Sequence, residues 1–116
     1  MFLSAVTDRR RMQPTVTAMR VGSQYVTENS SEAQMLFRKG RFGVLRAEGR
    51  VELSDFETLF LAETGRITVV GARNRSLSLD TLKSRILGRS KATAVRYAVF
   101  SDMRKRGYTV KTALKF

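Results

Sequence analysis

The sequence contains no cysteine, no histidine and no tryptophan, and a single proline among its 116 residues. Without cysteine there is no disulfide and no thiolate metal site. Without histidine the chain lacks the commonest general acid/base at neutral pH and the commonest transition-metal ligand. Catalysis would fall to Lys, Tyr, Asp or Glu. Carboxylates are few as well, 10 in all, and none are spaced to hold a hard cation, so neither a metal nor a cofactor is expected. The glycines are isolated and no GxxxxGK[ST] loop occurs. No apolar run approaches the roughly 18 residues of a membrane span. The start, MFLSAVTDRRRMQP, is a poor signal peptide because its charges follow a short apolar stretch. The expectation is a soluble, cytoplasmic protein with no membrane association.

What the chain has in excess is positive charge, and it is unevenly placed. Residues 1–65 carry nine Lys and Arg against eight Asp and Glu, a balance of +1, whereas residues 66–116 carry thirteen against two, a balance of +11. An excess of that size draws polyanions and releases counterions from a phosphate backbone. An acidic protein partner would answer the same charge. Arg9-Arg10-Arg11 reads as a solvated turn, with a phosphate contact as the other reading.

Residues 15–21 and 24–28 are β-branched and partly alternating around Gly22-Ser23, as in a hairpin. A helix is predicted from Ser30 or Ser31, with Ala33, Leu36 and Phe37 on one face and Gly40 as its stop. A short strand over Val51–Leu53 leads into Ser54-Asp-Phe-Glu57, a capping box opening a helix that buries Phe56, Leu59, Phe60 and Ala62. Capping explains the acidic pair Asp55 and Glu57. Gly65 ends that helix and RITVV follows as a strand. Ser78 opens another helix, with Leu79, Leu82 and Ile86 inward and Gly88 as its end. A last helix starts near Ser90. Ala94, Val95, Ala98, Val99, Phe100 and Met103 are expected to form its apolar face, with Tyr97, Ser101 and Arg104 on the other side. Gly107 is its left-handed stop. Residues 108–116 then alternate as a strand that needs a neighbour for its ladder. The fold class expected is α/β of the α+β kind. It has a mixed N-terminal domain over residues 1–88 and a helix-plus-strand piece over residues 89–116.

Arg104, Lys105, Arg106, Lys111 and Lys115 cluster on the last helix end and the following strand. They are candidate phosphate contacts, and equally a solvated basic face beside the negative end of a helix dipole. The other face of that strand, Tyr108, Val110, Thr112, Leu114 and Phe116, is the candidate partner-binding surface. Serines are plentiful, but without histidine their usual activation fails. The tyrosines Tyr25, Tyr97 and Tyr108 read as amphipathic residues at the edge of a core rather than as bases. No catalytic residue is assigned.

The stretch RYAVFSDMRKRGYTVKTALKF, residues 96–116, resembles the opening of the catalytic domain of archaeal tRNA-splicing endonucleases. Tyr97, Val99, Asp102, Arg104, Arg106, Gly107, Tyr108, Val110, Lys111, Thr112, Lys115 and Phe116 fit the family's pattern, and Ala113 stands where the family has glycine. EAQMLFRKGRFG and GRVELSDFETLFLAETGRI look like its N-terminal domain, so the resemblance runs from about Glu32 to Phe116. In catalytic members the next segment carries a Tyr, a His and a Lys. By resemblance these serve as base, acid and transition-state stabiliser while a ribose 2′-OH attacks its own phosphate. This sequence has no such segment. The resemblance therefore implies a chain that is not an enzyme by itself. It would be the structural subunit of a heterotetramer, two of each, that positions a catalytic subunit on precursor tRNA at bulge-helix-bulge sites. The alternatives are a fragment of a catalytic tRNA-splicing endonuclease and a stand-alone basic RNA-binding module.

Overall fold

The computed structural model describes residues 16–88 and 90–109. Among the described residues, five strands form a single mixed sheet: β1 (Val16–Val21), β2 (Gln24–Thr27), β3 (Val44–Leu45), β4 (Val51–Leu53) and β5 (Ile67–Val70). Their order is β3-β4-β2-β1-β5, with β1 and β5 parallel and every other pair antiparallel. The hairpin predicted around Gly22-Ser23 is present, with Val21 opposite Gln24 and Ala18 opposite Thr27. Four α-helices accompany the sheet among the described residues: α1 (Ser31–Arg38), α2 (Asp55–Glu63), α3 (Leu79–Leu87) and α4 (Lys91–Lys105). This is the mixed α/β fold the sequence led us to expect.

Each of these four helices starts at a serine. Ser30, Ser54, Ser78 and Ser90 sit in extended backbone, and each hydroxyl accepts the N–H three residues on. That bond satisfies one of the donors a helix start leaves free and stabilises the helix by about 1 kcal/mol relative to alanine. The α4 stop is also as expected. Gly107 is left-handed with φ 95°, its N–H bonds the Arg104 carbonyl and the Tyr108 N–H bonds the Met103 carbonyl. This double closure fixes where the chain leaves the helix.

The sheet's period-two alternation buries Val16 and Ala18 of β1, Tyr25 of β2, Val51 and Leu53 of β4, and Ile67 and Val69 of β5, while Thr17, Met19 and Val21 remain outside. Thr27 is a polar residue on the buried side. Its hydroxyl donates to the Glu28 carbonyl and accepts the Val51 N–H, so it joins β2 to β4 without an unpaired group. Leu59, Phe60 and Leu61 of α2, Leu82 and Ile86 of α3, and Tyr97 and Phe100 of α4 share that core. Helix α4 therefore packs into the same buried cluster as the sheet, through α2 and α3.

The buried face of α4 is only partly the one predicted. Phe100 is buried as expected, but Val95 is 62% exposed and Val99 58% exposed, whereas Tyr97, expected on the other side, is buried. Two stripes in α4 have the right spacing, and helical period alone does not choose between them. The core offers aromatic walls, Phe42, Phe56 and Phe60, against which rings pack well. Phe56 meets the Tyr97 ring edge-on at 5.4 Å and Phe100 at 5.7 Å. The two-residue strand β3 and a 3-10 turn over Ala72–Asn74 gave no signal long enough to read. Arg9-Arg10-Arg11 and the expected strand from residue 110 onward lie outside the described residues.

Candidate functional site

The candidate site is built around a buried ion pair. Glu57 is the third residue of α2, in its first turn, where its Oε1 accepts the Ser54 N–H at 3.0 Å and completes the predicted capping box. Its other oxygen accepts the Gly43 N–H at 3.0 Å and lies 3.7 Å from Nη2 of Arg104. Both side chains are almost sealed, at 2% and 5% exposure. Arg104 also donates to backbone: Nη1 to the Gly40 carbonyl at 2.8 Å and Nη2 to the Arg41 carbonyl at 2.7 Å. Its guanidinium lies 3.9 Å from the centre of the Phe42 ring, a cation–π contact.

This arrangement depends on the 40–43 loop. Gly43 has φ 70°, and a Cβ there would stand 2.6 Å from the Glu52 carbonyl. The close approach lets its N–H reach Glu57. Arg41 is also left-handed, at φ 56°, which turns its carbonyl to Arg104. Burial pulls the Arg104 guanidinium below its ordinary pKa, and Glu57 opposes that shift. It starts so basic that it stays charged at neutral pH.

A second polar group ties α4 down near its middle. The Tyr97 hydroxyl donates to Glu63 Oε1 at 2.5 Å, and Glu63 is also paired with Lys83 of α3 at 3.4 Å. Burial, followed by the Glu63 carboxylate, raises the Tyr97 phenol well above its ordinary pKa. Burial likewise raises the pKa of Tyr25, with the Asp55 charge adding to it. Burial and the neighbouring carboxylates hold both phenols protonated, the opposite of the lowered pKa a tyrosine base needs near neutral pH.

Beside the Arg104–Glu57 pair lies a cavity of about 450 Å³ lined by Lys39, Arg41, Arg66, Arg104, Lys105 and Tyr108 among others. The predicted phosphate contacts thus separate. Arg104 is turned inward and engaged. Lys105 lines the cavity. Arg106 pairs with Asp102 at 3.2 Å on the surface, a contact of the sort that stabilises by less than about 1 kcal/mol. Lys111 and Lys115 lie outside the described residues, as do Val110, Thr112, Leu114 and Phe116 of the predicted partner surface. Tyr108, the described member of that surface, is 58% exposed. Sequence reasoning missed Lys39, Arg41 and Arg66. They stand in separate segments with nothing in their spacing to connect them. No group of three or more carboxylates among the described residues is arranged to hold a metal ion, and no described helix is long and apolar enough to cross a membrane.

A mixed sheet with serine-capped helices packed on one face, and a further helix locked to it by a buried Arg–Glu pair, defines a small α/β domain of a recognisable kind. The profile of the tRNA intron endonuclease N-terminal domain matches residues 16–83, and the chain belongs to the tRNA-splicing endonuclease family. It is 35% identical over 95 residues to a tRNA-splicing endonuclease of Thermococcus kodakarensis, covering 82% of this chain and 55% of that protein. It is 34% identical over 96 residues to an EndA-like protein of Methanopyrus kandleri, covering 83% and 56%. A tRNA-splicing endonuclease of Saccharolobus islandicus is 26% identical over 114 residues, covering 87% and 61%. The chain therefore spans little more than half the length of these relatives.

Proposed function

We propose that this chain is a non-catalytic structural subunit of a tRNA-splicing endonuclease. It assembles with a larger catalytic member of the family and holds that partner's active sites in position on precursor tRNA. The observation that carries the reading is the pairing of family membership over residues 16–83 with the absence of histidine from all 116 residues. By resemblance the family's general acid is a histidine, and this sequence contains none to supply it. The contribution left to such a subunit is geometric. Fixing two cleavage sites at a set separation converts two loosely oriented encounters into one aligned complex.

The test is co-expression with a larger catalytic family member, followed by intact-complex mass measurement and an assay of intron excision from a precursor tRNA carrying a bulge-helix-bulge. The expected result is a complex of two of each chain that excises the intron efficiently, with the partner alone impaired. Equal excision by the partner without this chain sinks the proposal. The shared coverage of 55% of the Thermococcus relative favours one other reading, a fragment of a catalytic enzyme. A coding frame that continues past Phe116 into a segment with a histidine would establish that reading instead.

A further inference from the structure

We propose that the cavity between the ends of α1 and α4 is a binding site for a stretch of RNA backbone. Lys39, Arg41, Arg66 and Lys105 hold neighbouring phosphates, and Tyr108 offers its ring to a base. The choice of RNA as the polyanion rests on the proposed role in precursor-tRNA cleavage; the site itself rests on geometry.

Four positive side chains converge on one concavity that no carboxylate lines among the described residues. Among the described residues none of the four has a carboxylate partner within ion-pair distance. Arg46, Lys83 and Arg106 have carboxylate partners elsewhere, and Arg50 and Arg75 have none within ion-pair distance among the described residues; what sets the four apart is that they share one concavity. Like charges gathered without counterions repel, and an anion relieves the repulsion. The fifth cation, Arg104, is neutralised by Glu57 yet keeps one donor over. Its Nε is buried with no hydrogen-bond partner, in a protein where such groups are rare.

The cavity's 450 Å³ falls within the range of about 300–1,000 Å³ usual for small-molecule sites, large enough for a nucleotide unit. Phosphate suits this mixture of groups, with the guanidinium forks of Arg41 and Arg66 giving directed paired bonds and Lys39 and Lys105 giving adaptable point charges. Tyr108 separates a nucleic acid from an acidic peptide. It sits on the cavity wall, 58% exposed, and its backbone is held by the helix-end bond to Met103. An exposed ring beside a basic groove is the arrangement on which bases of a single strand stack. The residues come from three segments, around 39–41, 66 and 105–108, and are adjacent only in the fold.

The experiment measures binding of a labelled bulge-helix-bulge RNA to the full chain by fluorescence anisotropy across a salt series. Lys39→Glu/Arg66→Glu is compared with Arg50→Glu/Arg75→Glu, which changes net charge equally at exposed positions outside the cavity, and thermal melting verifies that both fold. The cavity variant is expected to weaken binding at least tenfold and to lower the slope of log K against log salt by about 1.5, while the control changes affinity less than about threefold. Tyr108→Ala is expected to weaken binding about fivefold with the salt slope unchanged. Equal losses in the two charge variants would mean a diffuse field and overturn the site. Displacement of the RNA by poly-glutamate as readily as by unlabelled RNA, at equal charge, would assign the cavity to an acidic protein and also overturn it. The outcomes separate from those of the subunit reading. If the chain supports excision but binds RNA no better than Lys39→Glu/Arg66→Glu, the site falls and the subunit role stands. If it binds as expected but does not support excision, the reverse holds.

Discussion

Helices α2 and α4 both begin at a serine N-cap whose hydroxyl takes the N–H three residues on, and they differ in how they meet the core. In α2 five consecutive residues, Glu57 to Leu61, are buried, so the helix is enclosed nearly all round. In α4 only Tyr97 and Phe100 are buried, and the residues beside them that look most apolar, Val95 and Val99, face outward. A helix hydrophobic all round lies at the centre of a core, whereas a peripheral helix buries one stripe. The stripe α4 buries is the one that complements what α2 presents: two rings, Phe56 and Phe60, and one carboxylate, Glu57. The outer helix adapts to the inner one. The rings of α4 meet the rings of α2, and Arg104 meets Glu57.

The largest perturbation expected to break this complementarity is Glu57→Ala. It strands the Arg104 charge in a sealed site and takes the Glu57 acceptor away from the Ser54 and Gly43 N–H groups. Removing one partner of a buried pair costs about 3–5 kcal/mol, read by urea unfolding. The next is Phe100→Ala, expected to cost about 3–4 kcal/mol by the same measurement, while Val99→Ala, one residue away, stays within about 0.5 kcal/mol. A larger cost at Val99 than at Phe100 would reverse the assignment of faces.

A smaller effect is expected near the middle of α4. Tyr97→Phe removes the bond to Glu63 and leaves that acceptor with Lys83, costing about 1 kcal/mol at neutral pH. The effect depends on pH. The folded Tyr97 phenol has its pKa raised above the unfolded value, so the native state holds the proton more tightly. The associated stability is fully present below about pH 10 and is lost as pH rises beyond it. Stability measured by urea unfolding from pH 7 to 11 should therefore fall more steeply in the wild type than in Tyr97→Phe, and a parallel decline would contradict the burial of the phenol. The smallest effect sharpens the contrast from outside: Val95→Lys/Val99→Lys should leave the melting temperature within a degree or two, since exposed substitutions change stability by about 0.5 kcal/mol or less.

Much of the fold could be read in advance because it is written in neighbouring residues. A serine cap needs only a helix three residues on. The capping box of Ser54 and Glu57, the Gly22-Ser23 turn and the Gly107 stop are likewise satisfied within a few positions. Glu57 shows the limit of such signals. Capping explained it fully in the sequence, yet its other oxygen serves Gly43 and Arg104, 14 residues before it and 47 after it. Arg104 carried the opposite ambiguity. In the sequence it was one of three consecutive cations at a helix end, and only its neighbours in space distinguish it from Lys105 and Arg106.

From local pattern alone the chain was committed to serine-capped helices, a hairpin, a mixed α/β class and a strongly basic second half, since cap geometry, turn chemistry and charge count are properties of short segments. Which stripe of α4 is buried, which cation is neutralised, and the convergence of Lys39, Arg41, Arg66 and Lys105 on one cavity beside Tyr108 were decided by tertiary structure. Burial and electrostatics act through space, and the groups that satisfy or leave unsatisfied each of these side chains lie on elements far apart along the chain.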